Sequence, residues 1–246
     1  MANPVLSRQF APPKNSAVAS PPIVDAGDRM TMGSVVRQTG LLFLLLLGAA
    51  VFGWTQVDVE TFGPVFWGSF LAALVLLIVT MVKKEWVRVT APLYAIAEGV
   101  LVGAISKIYS AAWEGIVVQA VLATLSVFVV MLFMYANRII KVTNRLRSTI
   151  MLATGGVFLF YLVSIGLSFF GVDMPFVWDG GPFSILISVV IVGIAAFNLL
   201  LDFDMIERGV NQGAAGWMSW FAAFGLMVTV VWLYLEILRL LALTRD

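Results

Sequence analysis

Long apolar runs dominate the chain from Val35 onward, and short polar segments separate them. Seven runs are long enough to cross a bilayer as helices, at residues 35–54, 63–82, 91–109, 115–136, 148–170, 182–203 and 217–243. A hydrocarbon core of about 30 Å needs roughly 20 apolar residues in an α-helix. The runs are continuous rather than alternating, which favours helices over the strands of a β-barrel. The pattern therefore predicts an all-α membrane protein with seven transmembrane helices.

Prolines mark both a predicted tail and the predicted span limits. Residues 1–30 contain polar residues and prolines that oppose helix formation, among them Pro12, Pro13, Pro21 and Pro22. We interpret residues 1–30 as a disordered cytoplasmic tail and residues 31–246 as the seven-helix transmembrane domain. Three later prolines stand at predicted span starts, where the missing N–H costs little: Pro64, Pro92 and Pro182.

Composition supports this class and excludes several others. The chain is 61% apolar and 12% charged, whereas soluble domains are about 25% charged. It has no cysteine and no histidine, which excludes disulfides, thiolate chemistry, Ser-His-Asp hydrolysis and histidine-ligated zinc. A net charge of +1 is too even for nucleic-acid binding. We predict no enzyme activity, no cofactor and no nucleic-acid partner. The expected partners are the lipid bilayer, cations and other membrane proteins.

Basic residues concentrate on one side of the predicted topology. Segment 137–147 carries four basic residues and no acid, and loop 83–90 carries three basic residues and one acid. The tail and the entry to the first span add four more basic residues on that side. The opposite turns are acidic, with Asp58, Glu60, Glu114, Asp173 and Asp179. Because cytoplasmic loops are enriched in Lys and Arg, the N-terminus is predicted to be cytoplasmic and the C-terminus outside.

Three acidic residues belong to predicted spans, where an ionised group costs about 2.5–3.5 kcal/mol. Glu98 stands near the middle of the third span. It is either a functional intramembrane acid or a protonated side chain bonded to a neighbouring helix. Asp202, near the cytoplasmic end of the sixth span, is either such an acid or a solvated surface group. The nearby Asp204 and Glu207 are interpreted as solvated.

The depth of the third acid, Glu236, stays open on sequence alone. The 19 residues 217–235 are uncharged and suffice to cross the membrane. On that count Glu236 lies at the outer interface and pairs with Arg239 at i+3. If residues 215–222 instead lie along the interface, the span begins near Phe224 and Glu236 lies close to mid-membrane.

Gly99 and Gly103 form a GxxxG pattern directly after Glu98. Small residues at this spacing let two membrane helices approach closely. The pattern is frequent in apolar spans rich in Gly and Ala, so it predicts tight packing of this helix face and nothing about the partner.

Three short motifs occur in the third, sixth and seventh spans: PLYAIAEGVLVGAI, LLLDFDMIERG and LYLEILRLL. In this order, with seven spans and a cytoplasmic N-terminus, they resemble the Bax-inhibitor-like family, also called the transmembrane Bax inhibitor motif family, in its bacterial branch. The resemblance covers about residues 35–246 and leaves the first 30 residues outside.

The resemblance implies seven helices with the last one central and surrounded by the other six. It also implies a pH-sensitive calcium leak across the bacterial inner membrane, gated by a carboxylate pair. The pair matches Asp202 and Glu236, which become the candidate gate, pH sensor and transient calcium ligands, and this favours the deeper placement of Glu236. The family's basic partner at the end of the second span is matched approximately by Lys83 or Lys84, a candidate latch.

Two departures from the family pattern concern this pair. The second acid is Glu instead of the usual Asp, and the separation from Asp202 to Glu236 is longer than usual. An interfacial segment at 209–220 would absorb the extra length.

Carboxyl groups in contact ionise in two steps and share a proton between them. We expect Asp202 and Glu236 to be hydrogen-bonded with one proton, whose loss separates the helices or admits a cation. Calcium prefers six to eight oxygens, so two carboxylates and a few waters would hold it only in transit. Glu98 is a candidate for a further oxygen along the path.

Two other functions fit the same spans. A regulatory membrane protein that binds a membrane protease or a larger complex would show no flux when pure. A proton-coupled carrier would show saturable, substrate-dependent proton movement.

Overall fold

The computed structural model describes residues 29–170 and 181–245. Within these residues it contains seven helices long and apolar enough to cross a membrane. They are α1 (Met32–Gln56), α2 (Val59–Val82), α3 (Val87–Ala112), α4 (Ile116–Ala136), α5 (Asn144–Phe169), α6 (Pro182–Asn211) and α7 (Trp217–Leu243). The seven predicted spans are confirmed. Residues 1–28 of the predicted tail and the acids Asp173 and Asp179 lie outside the described residues.

Local sequence explains where several helices begin. Thr31 caps α1, since its hydroxyl accepts the Ser34 N–H at 3.1 Å while its own N–H donates to the Ser34 hydroxyl at 3.1 Å. Pro182 is the first residue of α6, as predicted. Pro64 and Pro92 instead lie inside α2 and α3, because these helices begin at Val59 and Val87. The prediction that these two prolines start their spans is wrong by more than one turn.

Helices α3 and α7 form the interior of the bundle. α7 packs against α1, α3, α4 and α6, and α3 packs against α1, α2 and α7. α2 and α5 are peripheral, because α2 packs on α3 and α5 packs on α6. The last helix is therefore central, as the resemblance implied. The six other helices do not all surround it directly, since α2 joins the bundle through α3.

Glycines bring the backbones of α1 and α3 into contact. A Cβ on Gly99 would overlap the carbonyl oxygen of Leu46, and a Cβ on Gly103 would overlap that of Ala50. Gly53 of α1 faces the backbone of α3 in the same way. The GxxxG pattern is confirmed as a close-contact surface, and α1 is its partner.

Residues 29–31 are tied to the connection between α6 and α7. The Met30 N–H donates to the Ala214 carbonyl at 2.7 Å, and Arg29 forms a β-bridge with Ala215. The Met30 side chain is buried against Gly209. Arg29 and Met30 therefore belong to the folded domain and not to the predicted tail.

Candidate functional site

Glu236 belongs to a buried cluster with Arg239 and Tyr161. The Tyr161 hydroxyl on α5 donates to Glu236 Oε1, and Arg239 Nη1 donates to that hydroxyl oxygen at 2.6 Å. Arg239 Nη1 also lies 3.6 Å from Glu236 Oε2, and both side chains are 7% exposed. The i+3 pairing predicted from the sequence is confirmed. The cluster pairs a carboxylate with a guanidinium inside the protein and ties α5 to α7, while Glu236 Oε2 accepts no hydrogen bond from the described residues.

The helix limits place Glu236 within α7. α6 continues to Asn211 and α7 begins at Trp217. Segment 209–220 thus contains the end of α6, the connection and the start of α7, and the interfacial placement of this segment and of 215–222 stays a prediction. Glu236 precedes the helix end at Leu243 by seven residues, about 10 Å along the axis. Its side chain lies in the last third of α7, and protein encloses it.

Asp202 contacts a different part of α7. Its Oδ1 lies 3.7 Å from the position that a Cβ would take on Gly225, and Thr229 lies beside the carboxylate. Oδ2 is buried and accepts no hydrogen bond from the described residues. Asp202 is thus half-buried as a residue, but its carboxylate lies between α6 and α7 rather than at the surface. The missing side chain of Gly225 makes room for it.

The structure does not bring Asp202 and Glu236 together. Gly225 and Thr229 precede Glu236 by eleven and seven residues, about 16 and 10 Å along α7. Within the described part of the chain, neither a hydrogen bond nor an ion pair joins the two acids. The expected hydrogen-bonded pair with one shared proton is therefore wrong. The residues at 225, 229 and 236 nevertheless share one side of α7, so both acids lie along the same helix face.

Polar side chains lie between the two acids. Asn198, one turn from Asp202 on α6, donates to the Thr154 hydroxyl of α5 at 2.8 Å. Thr154 precedes Tyr161 by two turns on α5. Counted from the end of the bundle at which α5 begins and α6 ends, the order is therefore Asp202, the Asn198–Thr154 pair, and then Tyr161 with Glu236. We call this row of side chains between α5, α6 and α7 the polar seam.

Glu98 is buried in the interior next to α7. It is 9% exposed, and Tyr94 one turn earlier is its neighbour. The Tyr94 ring packs edge-on against Phe224 with 5.0 Å between centroids, and Ser106 bonds to Tyr234 at 2.7 Å. These contacts on both sides of Glu98 place it at the α3–α7 interface, apart from the polar seam.

Lys83 and Lys84 follow the C-terminal end of α2 and contact aromatic rings. The Lys83 Nζ lies 4.5 Å from the centre of the Trp86 ring, and the Lys84 Nζ lies 5.7 Å from that of Phe221. Neither lysine forms an ion pair with an acid of the described residues. The structure therefore provides no carboxylate contact for the predicted lysine latch.

Arginines bind the acids at the C-terminal end of α6. Arg147 binds Asp204, and Arg208 Nε lies 3.0 Å from the same carboxylate. Arg138 binds Glu207. This hydrogen bond raises the pKa of the Arg138 guanidinium above its ordinary value, so Arg138 stays charged. Asp204 is 7% exposed, and its interpretation as a solvated group is wrong.

Sequence reasoning missed Tyr161 and Thr229 as partners of the intramembrane acids. A tyrosine inside an apolar span was an available signal, because a buried hydroxyl needs a hydrogen-bond partner. Its partner lies on another helix, 75 residues further along the chain. Thr229 carried no comparable signal, since a threonine in a membrane helix often bonds its own backbone, as Thr229 does to the Gly225 carbonyl at 3.2 Å.

No group of three or more acidic, cysteine or histidine side chains among the described residues could hold a metal ion together. Asp202 and Glu236 each offer a single carboxylate at a separate level. Such sites fall short of the six to eight oxygens that calcium prefers. Any cation that visits them must keep most of its water ligands.

Seven long apolar helices, with acidic side chains buried around the last of them, define a polytopic helical integral membrane protein. The model of the family described as Bax inhibitor 1 like matches residues 3–246. The chain belongs to this family. The resemblance is confirmed, but the match begins at residue 3, so the prediction that the first 30 residues lie outside it is wrong. No curated protein and no solved structure matches the chain significantly.

Proposed function

We propose that the protein is a pH-sensitive leak pathway for calcium and other cations in the bacterial plasma membrane, with its N-terminus in the cytoplasm. The polar seam is the observation that carries the proposal. It places Asp202 and Glu236 at two levels on one side of the central helix, with Asn198 and Thr154 between them. Acids at membrane depth are costly and mark ion pathways. Family membership supports the same reading.

Asp202 is the pH-sensitive group of the proposed pathway. Its Oδ2 accepts no hydrogen bond from the described residues, so a carboxylate at this position would be a poorly compensated buried anion. Loss of its proton therefore favours entry of water and a cation between α6 and α7. Gly225 leaves the space in which they would approach the carboxylate.

Glu236 is the closed end of the pathway, and Arg239 is its tethered counter-ion. The guanidinium occupies the place that a passing cation would take beside the carboxylate. A calcium ion must displace Arg239 and loosen the Tyr161 hydrogen bonds that join α5 to α7. The two acids thus act in sequence, instead of as one pair.

Calcium flux into liposomes that contain only the pure protein, measured across a pH series, tests the pathway. Asp202→Asn removes the titrating group and should flatten the pH response. Glu236→Gln should change the flux at every pH, because it removes the outer carboxylate. Glu114→Gln, at an exposed acid outside the spans, serves as the matched control. Wild-type pH profiles in both seam variants would rule out this gate.

A charge comparison at Arg239 tests the tethered counter-ion. Arg239→Gln removes the resident cation and should raise calcium flux several-fold, whereas Arg239→Lys keeps a charge and should stay near the wild-type flux. Equal flux in the two variants would contradict the role of Arg239. Glu98→Gln tests whether the third acid contributes to the path, since it lies apart from the polar seam.

The other functions make different predictions in the same liposomes. A regulatory protein that only binds a protease or a complex gives no flux at any pH from folded, pure protein. A proton-coupled carrier moves protons at a rate that saturates as the concentration of a solute rises, and it transports no calcium. Either result would overturn the proposal.

A further inference from the structure

The helices around α7 leave an opening between α1 and α4, which we call the α1–α4 groove. Its floor is α7. The groove holds a cavity of about 530 Å³ in the cytoplasmic half and one of about 580 Å³ in the outer half. The α1 residues that line it extend from Met32 to Trp54, about 33 Å along the helix. The groove therefore crosses the hydrocarbon core, which is about 30 Å thick.

The two halves of the groove differ at their ends. The walls of the cytoplasmic half are mostly apolar and include Val36, Phe128, Leu132 and Leu226. Its rim carries the polar side chains Tyr135, Arg138 and Glu207. No charged side chain lines the outer half among the described residues. Only the cytoplasmic half thus combines apolar walls with a cationic side chain at its rim.

We propose that the cytoplasmic half of the α1–α4 groove binds one anionic phospholipid. One acyl chain lies in the groove against α6 and α7, and the headgroup phosphate binds Arg138 at the rim. This orientation follows from the order of the lining, since apolar walls face the acyl region and the guanidinium stands just beyond the end of α4. The inference does not depend on the proposed transport function.

The charge at the rim favours an anionic lipid. Arg138 is bonded to Glu207, but its side chain is 61% exposed, and a guanidinium has five N–H donors. Donors therefore remain for a phosphate, which arginine binds in a bidentate manner. Lys141 and Arg145 follow in the same segment, both exposed and outside any ion pair of the described residues. Together the three side chains make segment 138–145, which continues from the rim, positively charged, and this favours an anionic over a zwitterionic headgroup.

A lipid in this site would contact the helices that carry the proposed pH sensor. Phe203 and Leu226 line the groove, and they are the chain neighbours of Asp202 and Gly225. An acyl chain that fills the groove supports the packing of α6 on α7 at that level. The site is therefore expected to stabilise the fold as well as to bind the membrane.

Native mass spectrometry of the full chain, released from micelles that contain equal phosphatidylglycerol and phosphatidylcholine, tests the site. We expect one retained lipid, with phosphatidylglycerol preferred at least five-fold. Leu132→Trp fills the groove and should lower retention at least five-fold. Val129→Trp is the matched control, because Val129 lies on the same helix, is 60% exposed and is not part of the groove lining. Arg138→Gln should keep the bound lipid but abolish the headgroup preference.

Several outcomes would overturn the proposal. Equal retention in Leu132→Trp and Val129→Trp means that the lipid does not lie in the groove. No headgroup preference in the wild type, or an unchanged preference in Arg138→Gln, removes the phosphate contact. A dimer that Leu132→Trp dissociates means that a second copy fills the groove. If Leu132→Trp fails to fold, Val36→Trp on the opposite wall, at a residue 64% exposed, provides the same test.

Discussion

At the scale of single residues, the buried charges of α7 make the most demanding arrangement in the molecule. Glu236 and Arg239 are both nearly inaccessible, and each would be costly alone. Their separation by three residues lets one helix present both charges on adjacent positions. Tyr161 supplies a hydroxyl that donates to one and accepts from the other. These buried charges are therefore stable inside the membrane only when the carboxylate, the guanidinium and the hydroxyl are present together.

Removal of one charge should therefore cost more than removal of both. Arg239→Gln leaves the Glu236 carboxylate without its counter-ion and should lower the free energy of unfolding by about 3 kcal/mol. The double variant with Glu236→Gln should regain part of that loss. Denaturant titration in detergent micelles measures both, and Arg245→Gln at the exposed outer end is the control. If the double variant is less stable than Arg239→Gln, the two charges do not compensate each other.

At the scale of helices, backbone contact between α1 and α3 fixes how the first half of the bundle packs. Without a large side chain, Gly99 and Gly103 let the helices approach until carbonyl oxygens of α1 lie where a Cβ would stand. Dispersion contacts of this kind stabilise membrane helices that the hydrophobic effect does not drive together. This contact fixes the rotation of α3 about its own axis. Glu98 lies on the face of α3 that is turned toward α7.

A methyl group at this contact should force the helices apart. Gly103→Ala should lower the free energy of unfolding by about 1–3 kcal/mol, because backbone cannot move aside as a flexible side chain can. Gly48→Ala on α1 meets no atom within 4 Å and is the matched control. It should be neutral or stabilising by up to about 1 kcal/mol, the helix-propensity gain. The same loss in both variants would show that the close contact is not the cause.

At the scale of the whole molecule, basic residues and packing contacts concentrate at one end of the bundle. Four arginines and lysines of segment 137–147 stand there, and two of them, Arg138 and Arg147, bind acids at the end of α6. Residues 29–31 join the α6–α7 connection at the same end. Positive loops favour the cytoplasmic side, so the bundle is expected to insert with this end inside.

Single-cysteine labelling tests that orientation, and the chain offers a clean background because it has no cysteine. Glu114→Cys, in the α3–α4 turn, should react with a membrane-impermeant maleimide in intact spheroplasts. Asn144→Cys, at the start of α5, should react only after permeabilisation. Both positions are exposed, so reagent access depends on the side of the membrane alone. The reverse labelling pattern would invert the proposed topology.

The sequence showed where the intramembrane acids are, but it did not show which side chains are their partners. Glu98, Asp202 and Glu236 stand out because an ionisable residue inside an apolar run is conspicuous in any single span. The partners Tyr161, Thr229 and Gly225 depend on the rotation and vertical offset of one helix against another. The motif suggested Glu236 as the partner of Asp202. Asp202 instead lies against Gly225 and Thr229, which precede Glu236 by eleven and seven residues.

The sequence by itself determined the class of protein, the seven spans and the predicted orientation. Each depends on local composition measured against the thickness and charge asymmetry of a bilayer. Only the tertiary structure decided that Glu236 pairs with Arg239 and Tyr161 while Asp202 lies against Gly225. The physical reason is that a helix face meets whichever neighbour the packing of close contacts allows. A shift of a few residues along the helix axis therefore gives a side chain a different partner, although the spans remain equally apolar.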